Sequence, residues 1–402
     1  MSDGCSAGGS DGSGMDLNGV AIPMIPYGRQ EVDDDDIAAV VDVLKSDWLT
    51  TGPKVTEFEV AVADYVGASH AVAVNSGTAA LHAMMAALEI GPGDEVIVPA
   101  ITFASTANCV VFQGATPVFA DVDPATLLIC PNSVAEKITD QTRAIIAVDY
   151  AGQPCDYTRL QVLASQNDIC LLTDGCHSLG ARYKGTAAGS VTEMTAFSFH
   201  PVKPITTGEG GMVTTSCSDL AAAMRQFRNH GIVTDARQRE ASGTWFYEMQ
   251  SLGYNYRISD IQCALGLQQL SKLDGWRDRR EQIADLYDDA FRNENSILPL
   301  SRSAETRHGW HLYVVRLQNQ PRNAVFDSMR AAGIGVNVHY IPVHLHPYYR
   351  NRFGTAQGDC PNAEAAYEQI LSLPIYPGMT DQQVQFVVSQ LSQAAIQSQK
   401  AA

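Results

Sequence analysis

The sequence predicts an α/β protein with a large doubly wound, mainly parallel sheet and a smaller α+β domain after it. Over the first two thirds of the 402 residues, short apolar runs alternate with helical segments, as in parallel strands joined by helices. From about residue 276 the helical segments are separated by fewer strand-like runs. We therefore expect a tail at 1–20, a large domain at 21–275 and a small domain at 276–402.

The large domain is expected to begin with two helices, at 33–45 and 55–65. Acidic residues in DDDIAAVVDVLKS favour the first turn of the first helix. Alternating elements follow. The predicted strands are HAVAV, EVIVPA, TPVFADV, RAIIAVDY, ICLLTD, TAFSF and GMVTT, and the predicted helices are NSGTAALHAMMAAL, STANCVVFQG, 157–166 and 259–273.

The small domain is expected to begin with a helix over RDRREQIADLYDDAF. A strand at HLYVVRL, a helix at 322–332, a strand at GVNVHY and a terminal helix after Pro377 follow. This mixture of elements is typical of an α+β unit.

Composition excludes several classes of protein. The formal net charge of −17 argues against nucleic acid as a partner. No apolar run approaches membrane-spanning length, and residues 1–19 lack the basic start and apolar stretch of a signal peptide. The nine cysteines form no CxxC pair and no zinc-ligand spacing, so we expect free thiols, a cytoplasmic location and no metal.

Three features indicate a cofactor. Lys203 lies in TAFSFHPVKPITTGEGG, after a strand and before glycines that allow a tight loop; Asp174 ends the strand ICLLTD; and Ser76, Gly77 and Thr78 open a helix. A lysine amine, a carboxylate and the N–H groups of a helix start match the aldehyde, ring nitrogen and phosphate of pyridoxal 5′-phosphate. The sequence therefore predicts that cofactor.

The chain resembles the DegT/DnrJ/EryC1/StrS family of sugar aminotransferases from about Pro26 to its end. The shared segments are IPYGRQ, SDWLTTGPKVTEFE, NSGTAALH, PAITFASTAN, VDYAGQP, FSFHPVKPITTGEGG, YNYRISDIQCALGLQQL and VHYIPVHLHPYY. The resemblance is strongest to members that act in pseudaminic acid biosynthesis. It implies the type I aminotransferase fold, a homodimer with sites at its interface, L-glutamate as amino donor and a UDP-linked 4-keto sugar as acceptor.

The resemblance also implies cofactor contacts. Lys203 is the catalytic lysine, Phe103 stacks on the ring, Ser198 binds the phosphate and Asn255 reaches the phosphate of the neighbouring subunit. His177 stands where many members have Gln and is expected to bind the cofactor, at its 3-oxygen or against its ring, whereas the role of His200 is open. A buried structural histidine is the alternative for both.

Substrate contacts are implied at two clusters and at Gly77. The residues are Tyr27, Asp47, Trp48, Leu49, Thr50, Asn337, Val338, His339 and Tyr340, and His344, His346, Tyr348 and Tyr349 extend the second cluster. Aromatic rings suit a uracil, and Tyr and His donors suit a diphosphate. The alternative for each residue is packing at a domain joint.

Other functions remain open at this point. One is a perosamine-type or bacillosamine-type aminotransferase that acts on another 4- or 3-keto nucleotide sugar. A dehydratase relative would have histidine in place of Lys203. A non-catalytic regulatory member of the family would be expected to have lost Lys203, Asp174 or the SGT turn, and all three are present.

Overall fold

A computed structural model describes residues 24–234, 239 and 241–401. The predicted tail at 1–20 lies outside the described residues. In chain order, the elements up to the middle of the large domain are α1 (Asp34–Leu44), α2 (Pro53–Val66), β1 (His70–Val74), α3 (Gly77–Ala87), β2 (Glu95–Pro99), α4 (Ser105–Phe112), β3 (Thr116–Ala120), α5 (Pro131–Lys137), β4 (Thr142–Val148), α6 (Tyr157–Asn167) and β5 (Cys170–Asp174).

The remaining described elements complete the large sheet and build two three-stranded sheets. They are β6 (Arg182–Tyr183), β7 (Thr186–Ala187), β8 (Met194–Ser198), β9 (Gly211–Thr215), α7 (Ser218–Phe227), α8 (Asp260–Phe291), β10 (Ile297–Pro299), β11 (Thr306–Arg307), β12 (Tyr313–Leu317), α9 (Arg322–Ala331), α10 (Pro347–Phe353), α11 (Pro361–Tyr367), β13 (Ile370–Leu373) and α12 (Asp381–Ala401). The two three-stranded sheets are β10-β12-β13 and β11-β6-β7. Short 3₁₀ turns lie at Tyr150–Gly152 and Val343–Leu345.

In the described part of the chain, the large sheet has seven strands in the order β1-β9-β8-β5-β4-β2-β3. The strands from β8 to β3 pair in parallel, whereas β9 is antiparallel to both β8 and β1. The fold class predicted from the alternating pattern is therefore confirmed. Because β1, β5 and β8 run in the same direction, the segments that follow them meet at one edge of the sheet.

A second hydrophobic core lies around the antiparallel sheet β10-β12-β13. It includes Tyr287 and Phe291 near the end of α8, Val325 of α9 and Leu391 of α12. Ile25 from the start of the described chain joins this core, and its backbone N–H donates to Gly333. The described residues before α1, which we call the N-terminal arm, are thereby fixed beside the sheet β10-β12-β13, which we call the small sheet.

Helix α8 runs without interruption through residues 275 and 276, where the sequence suggested two helices. Ser259 and Gln262 form a capping box at its start. Gly275 lies at an exposed position of this helix, where glycine makes the helix less stable than alanine would by roughly 1 kcal/mol. Buried Leu273 and Arg277 on either side hold the helix together by packing.

The strand predicted at GVNVHY is wrong. In this segment the structure records a β-bridge between Asn337 and Ser372, and Gly335 donates its N–H to Ile25. The chain follows the N-terminal arm and the edge of the small sheet at isolated points, which does not make a strand.

Among the helices of the described residues, none combines the length and the apolar composition that a membrane span requires.

Candidate active site

A cavity of about 850 Å³ opens at the edge of the large sheet that follows β1, β5 and β8. We call it the edge cavity. Its lining includes most of the residues singled out in the sequence: Tyr27, Ser76, Gly77, Thr78, Phe103, Asp174, His177, Ser198, His200, Lys203, Asn337, Val338, His339 and Tyr340. The topology thus brings together residues that are up to 313 positions apart, from 27 to 340.

One wall of the edge cavity is the N-terminus of α3. The hydroxyl of Ser76 caps this helix by accepting the backbone N–H of Ala79 at 3.1 Å. A Cβ atom at Gly77 would lie 2.8 Å from Cβ of Ser198, so glycine permits this close approach between the helix start and the end of β8. The first N–H groups of a helix lack partners within the helix, and they attract anions.

Asp174 ends β5 at the floor of the cavity and is only 5% exposed. Its Oδ2 accepts the hydroxyl of Thr106 at 2.7 Å, and its Oδ1 accepts the N–H of Cys176 at 3.2 Å. Thr106 is in turn 2.7 Å from the hydroxyl of Thr102. Hydrogen bonds from Thr106 and Cys176 therefore fix the orientation of the carboxylate.

Lys203 lies in the loop between β8 and β9 and is half-buried. The loop is closed by hydrogen bonds from Lys203 N–H to His200 and from Thr207 N–H to Phe199. Burial lowers the pKa of Lys203, while the nearby Cys176 and Asp174 partly offset that change. More of the amine is therefore neutral and nucleophilic at neutral pH than for a surface lysine.

Histidines and a tyrosine form the wall opposite α3. Nε2 of His177 lies 3.2 Å from the hydroxyl of Tyr340, and Nδ1 of His339 lies 2.8 Å from that of Ser372. Burial, followed by the charge of Lys203, lowers the pKa of His177 well below its usual value and that of His339 to about 3. Both imidazoles are therefore neutral hydrogen-bonding groups at physiological pH.

The segment Asp47–Thr50 does not line the edge cavity of its own chain. Leu49 accepts the N–H of Asp260, and Thr50 forms a β-bridge with Ser259. Asn255 is exposed, and its carbonyl accepts the side-chain amide of Asn75 at 3.4 Å. Within one chain, these predicted site residues lie at the surface around the start of α8.

The extended Tyr and His cluster after residue 343 also lies off the cavity. His344 is fully buried and bonds Glu364 at 2.9 Å, and Tyr349 donates to Asn108 at 2.6 Å. Tyr348 is half-exposed and packs edge-on against Tyr349. His344 and Tyr349 therefore pack inside the protein, which was the alternative to substrate binding for these residues.

The cavity lining also includes residues that were not predicted from the sequence: Asn75, Thr102, Ser105, Val148, Cys176, Val202, Glu209 and His311. The segment containing Thr102 and Ser105 follows β2, so the rule that ligands bind beyond the carboxyl ends of parallel strands could have indicated it. His311 precedes β12 of the antiparallel sheet β10-β12-β13, and no local pattern marks it.

The fold and the lysine–carboxylate cavity define the class of pyridoxal 5′-phosphate-dependent aminotransferases. The chain belongs to the DegT/DnrJ/EryC1/StrS aminotransferase family, whose model matches residues 30–392. The predicted family, fold, cofactor and enzyme class are confirmed by this match and by similar solved structures.

Three relatives define the similarity. The spore coat polysaccharide biosynthesis protein SpsC of Bacillus subtilis is 43% identical over 370 residues, 90% of this chain and 95% of SpsC. Spr1654 of Streptococcus pneumoniae, assigned as a sugar aminotransferase, has a TM-score of 0.89 at 33% identity, covering 93% of this chain and 100% of its own. Helicobacter pylori PseC, an aminotransferase of pseudaminic acid biosynthesis, has a TM-score of 0.87 at 31% identity, covering 93% and 100%.

Proposed function

We propose that this sugar aminotransferase transfers the amino group of L-glutamate to C4 of a UDP-linked 4-keto sugar in pseudaminic acid biosynthesis. The acceptor would be UDP-2-acetamido-2,6-dideoxy-β-L-arabino-hex-4-ulose, and the enzyme would act in the cytoplasm as a homodimer. The observation that carries the proposal is one cavity that holds Lys203, Asp174, the start of α3 and a wall of neutral hydrogen-bonding side chains. The likeness to PseC supports the choice of sugar.

The residues of the edge cavity fit pyridoxal 5′-phosphate. The helix start at Ser76, Gly77 and Thr78, together with Ser198, offers donors for the phosphate. Ser198 lies so close to Gly77 that position 77 has no room for a side chain. Asp174 would hold the ring nitrogen protonated, and Phe103, 58% exposed, offers a ring face. The buried Nδ1 of His177 has no hydrogen-bond partner in the described chain, which suits a polar atom of the cofactor.

The bound cofactor supplies a covalent attachment point for amines and an electron sink for the carbanion at the reacting carbon. Lys203 supplies the proton movements. As a neutral amine it takes the proton from Cα of the amino donor, and it later returns a proton at C4 of the sugar. Because the enzyme would keep the amino group between the two half-reactions, the donor product leaves before the sugar binds, and ping-pong kinetics are expected.

The neutral wall of the cavity suits a polar sugar. Tyr27 and the segment Asn337–Tyr340 line it, and Nδ2 of Asn337 lies 3.4 Å from Nε2 of His339. Neutral imidazole, amide and phenol groups can each donate and accept, as an acetamido group and sugar hydroxyls require. In the proposed dimer, Asp47–Thr50 and Asn255 would serve the partner's cavity, which accounts for their exposed positions.

Asn255→Ala should weaken cofactor retention, and the defect should act across the dimer. Mixed dimers of Asn255→Ala and Lys203→Ala chains have one complete site, which combines the lysine of one chain with the asparagine of the other. Activity of the mixture should therefore rise clearly above that of either parent, to at most half of wild type per active dimer. The measurement is transaminase activity after the chains are co-expressed and the mixed dimers purified by two tags. Activity no higher than that of the parents would show that Asn255 serves its own chain.

A second candidate is a related aminotransferase that acts on another nucleotide sugar. The specific observation in its favour is the likeness to SpsC, a protein of spore coat polysaccharide biosynthesis, at 43% identity against 31% for PseC. Perosamine-type and bacillosamine-type activities belong to this candidate. The cofactor chemistry is the same in both cases, so only the acceptor distinguishes them.

The acceptor prediction compares two epimers. With glutamate saturating, kcat/KM for the L-arabino 4-keto sugar should exceed that for the D-xylo epimer by at least about 10-fold. The two sugars are epimeric at C5, so the D-xylo compound fits its methyl group into the cavity only by tilting the ring, and a buried polar group of the wall that loses its partner costs on the order of 1–3 kcal/mol. If the D-xylo compound is preferred, the bacillosamine-type activity replaces the pseudaminic acid assignment. A preference for a GDP-linked sugar in a matched pair would favour the perosamine-type activity.

A further inference from the structure

His311 lines the edge cavity beside the reactive amine of Lys203. Its Nε2 is 3.4 Å from Nζ of Lys203, and the residue is 7% exposed. Its ring packs against that of His177, with centroids 4.4 Å apart and planes inclined by 48°. The His311 ring beside the amine is thus packed against a ring from a segment 134 positions away, at 177.

The backbone around His311 is fixed from behind by the turn at Tyr150–Gly152. The N–H groups of His311 and Leu312 both donate to the carbonyl of Ala151, at 3.0 and 3.1 Å, and Gly309 donates to Gly152 at 2.8 Å. Gly152 has φ +106°, and a Cβ there would lie 2.7 Å from the nitrogen of Trp310. These hydrogen bonds hold the segment against the turn, which keeps the imidazole beside the amine.

The protonation state of His311 decides what this contact does. Burial lowers the pKa of His311 well below its usual value, and the charge of Lys203 adds to the effect, followed by His177, His339 and Arg280. A neutral imidazole with Nε2 facing an amine accepts one of its N–H bonds. It does not compete with the amine for the substrate's proton, because the amine is the stronger base.

We propose that His311 is a positioning residue that orients the amine of Lys203 by accepting one of its hydrogens. One N–H of the free amine is then committed to the imidazole, and its lone pair stays available for the reacting carbon. The inference rests on the proposed role of Lys203 and adds a residue that acts on the reaction through the Lys203 amine. Orientation of this kind matters because a misplacement of about 1 Å can cost about 100-fold in rate.

The test uses His311→Leu, which removes the acceptor, and His311→Gln, which restores one. In a single half-reaction with glutamate, His311→Leu should be slower by about 100-fold, with the glutamate concentration for half-maximal rate little changed. His311→Gln should recover most of that loss. His344→Leu removes a buried histidine that lies off the edge cavity, and its half-reaction should stay within about twofold of wild type.

A second readout does not depend on turnover. Protein freed of cofactor is mixed with pyridoxal 5′-phosphate at a series of pH values, and the rate of the visible absorption change reports the neutral fraction of Lys203. A hydrogen bond to the ammonium stabilises the charged form, so losing it should shift the midpoint for His311→Leu to lower pH. His311→Gln should keep the wild-type midpoint. A variant whose pocket merely opened would rehydrate the amine and shift the midpoint to higher pH.

The outcomes separate the two levels of the proposal. A normal half-reaction rate in His311→Leu, an upward shift of the midpoint, or identical behaviour of the Leu and Gln variants would overturn the role of His311 alone. If Lys203→Ala kept turnover, the proposed function would fail together with this inference. Thermal unfolding of each variant confirms that the folded protein is compared.

Discussion

Replacing Lys203 with alanine should abolish transamination, by at least about 10⁴-fold, and should remove the visible absorption of the enzyme with its cofactor bound. Among the described residues that line the edge cavity, Lys203 is the only lysine. No other amine there can bind the cofactor covalently or move the proton, and general acid–base catalysis alone is worth up to about 10⁴ in rate. The measurements are turnover with glutamate and a 4-keto nucleotide sugar, and an absorption spectrum of the purified protein.

Two further lysine variants sharpen this result. Lys203→Arg keeps a cation in the loop but is not a nucleophile at neutral pH, so it should be as inactive as the alanine variant. Lys184→Ala removes an exposed lysine paired with Glu305 at 3.2 Å, and its turnover should equal that of wild type. Retained turnover in Lys203→Ala would assign the chemistry to another group.

Replacing Asp174 with asparagine should slow the half-reaction with glutamate by about 10²–10³-fold, the range for losing one pre-organised electrostatic group. The carboxylate is buried and held by Thr106 and Cys176. An amide in its place no longer keeps the ring nitrogen protonated, and the electron sink weakens. The measurement is the pre-steady-state rate of the half-reaction, with cofactor content determined separately.

Asp121 provides a matched control for Asp174, because it is also a buried aspartate just after a parallel strand, β3. Its carboxylate accepts the N–H groups of Asn362 and Ala363 at 2.9 Å, away from the edge cavity. Asp121→Asn should lower the free energy of unfolding by roughly 1–3 kcal/mol and leave the half-reaction rate nearly unchanged. If Asp174→Asn also lost stability but kept its rate, Asp174 would be a structural cap.

The elements of the large domain could be predicted closely from local pattern. Helix α1 was expected at 33–45 and runs over Asp34–Leu44, and the run HAVAV is β1. Helices α5 and α7 were missed, although α7 carries a clear apolar face. The strand predicted at GVNVHY failed because strand formation depends on a partner, and this segment meets Ile25 and Ser372 only at isolated points.

By itself, the sequence determined the fold class and the gathering of Lys203, Asp174 and the SGT turn. Each of these residues lies at or just after the end of a predicted strand. Parallel strands end at a common edge of the sheet, so the position of each residue relative to its strand is enough to predict that they lie together. Tertiary structure decided the rest. It placed His311 beside Lys203 and His344 in the core, and it left Asp47–Thr50 outside the cavity of its own chain. Contacts such as that between Lys203 and His311 join segments more than 100 residues apart, and only the packing of the seven-stranded sheet beside the sheet β10-β12-β13 brings them together.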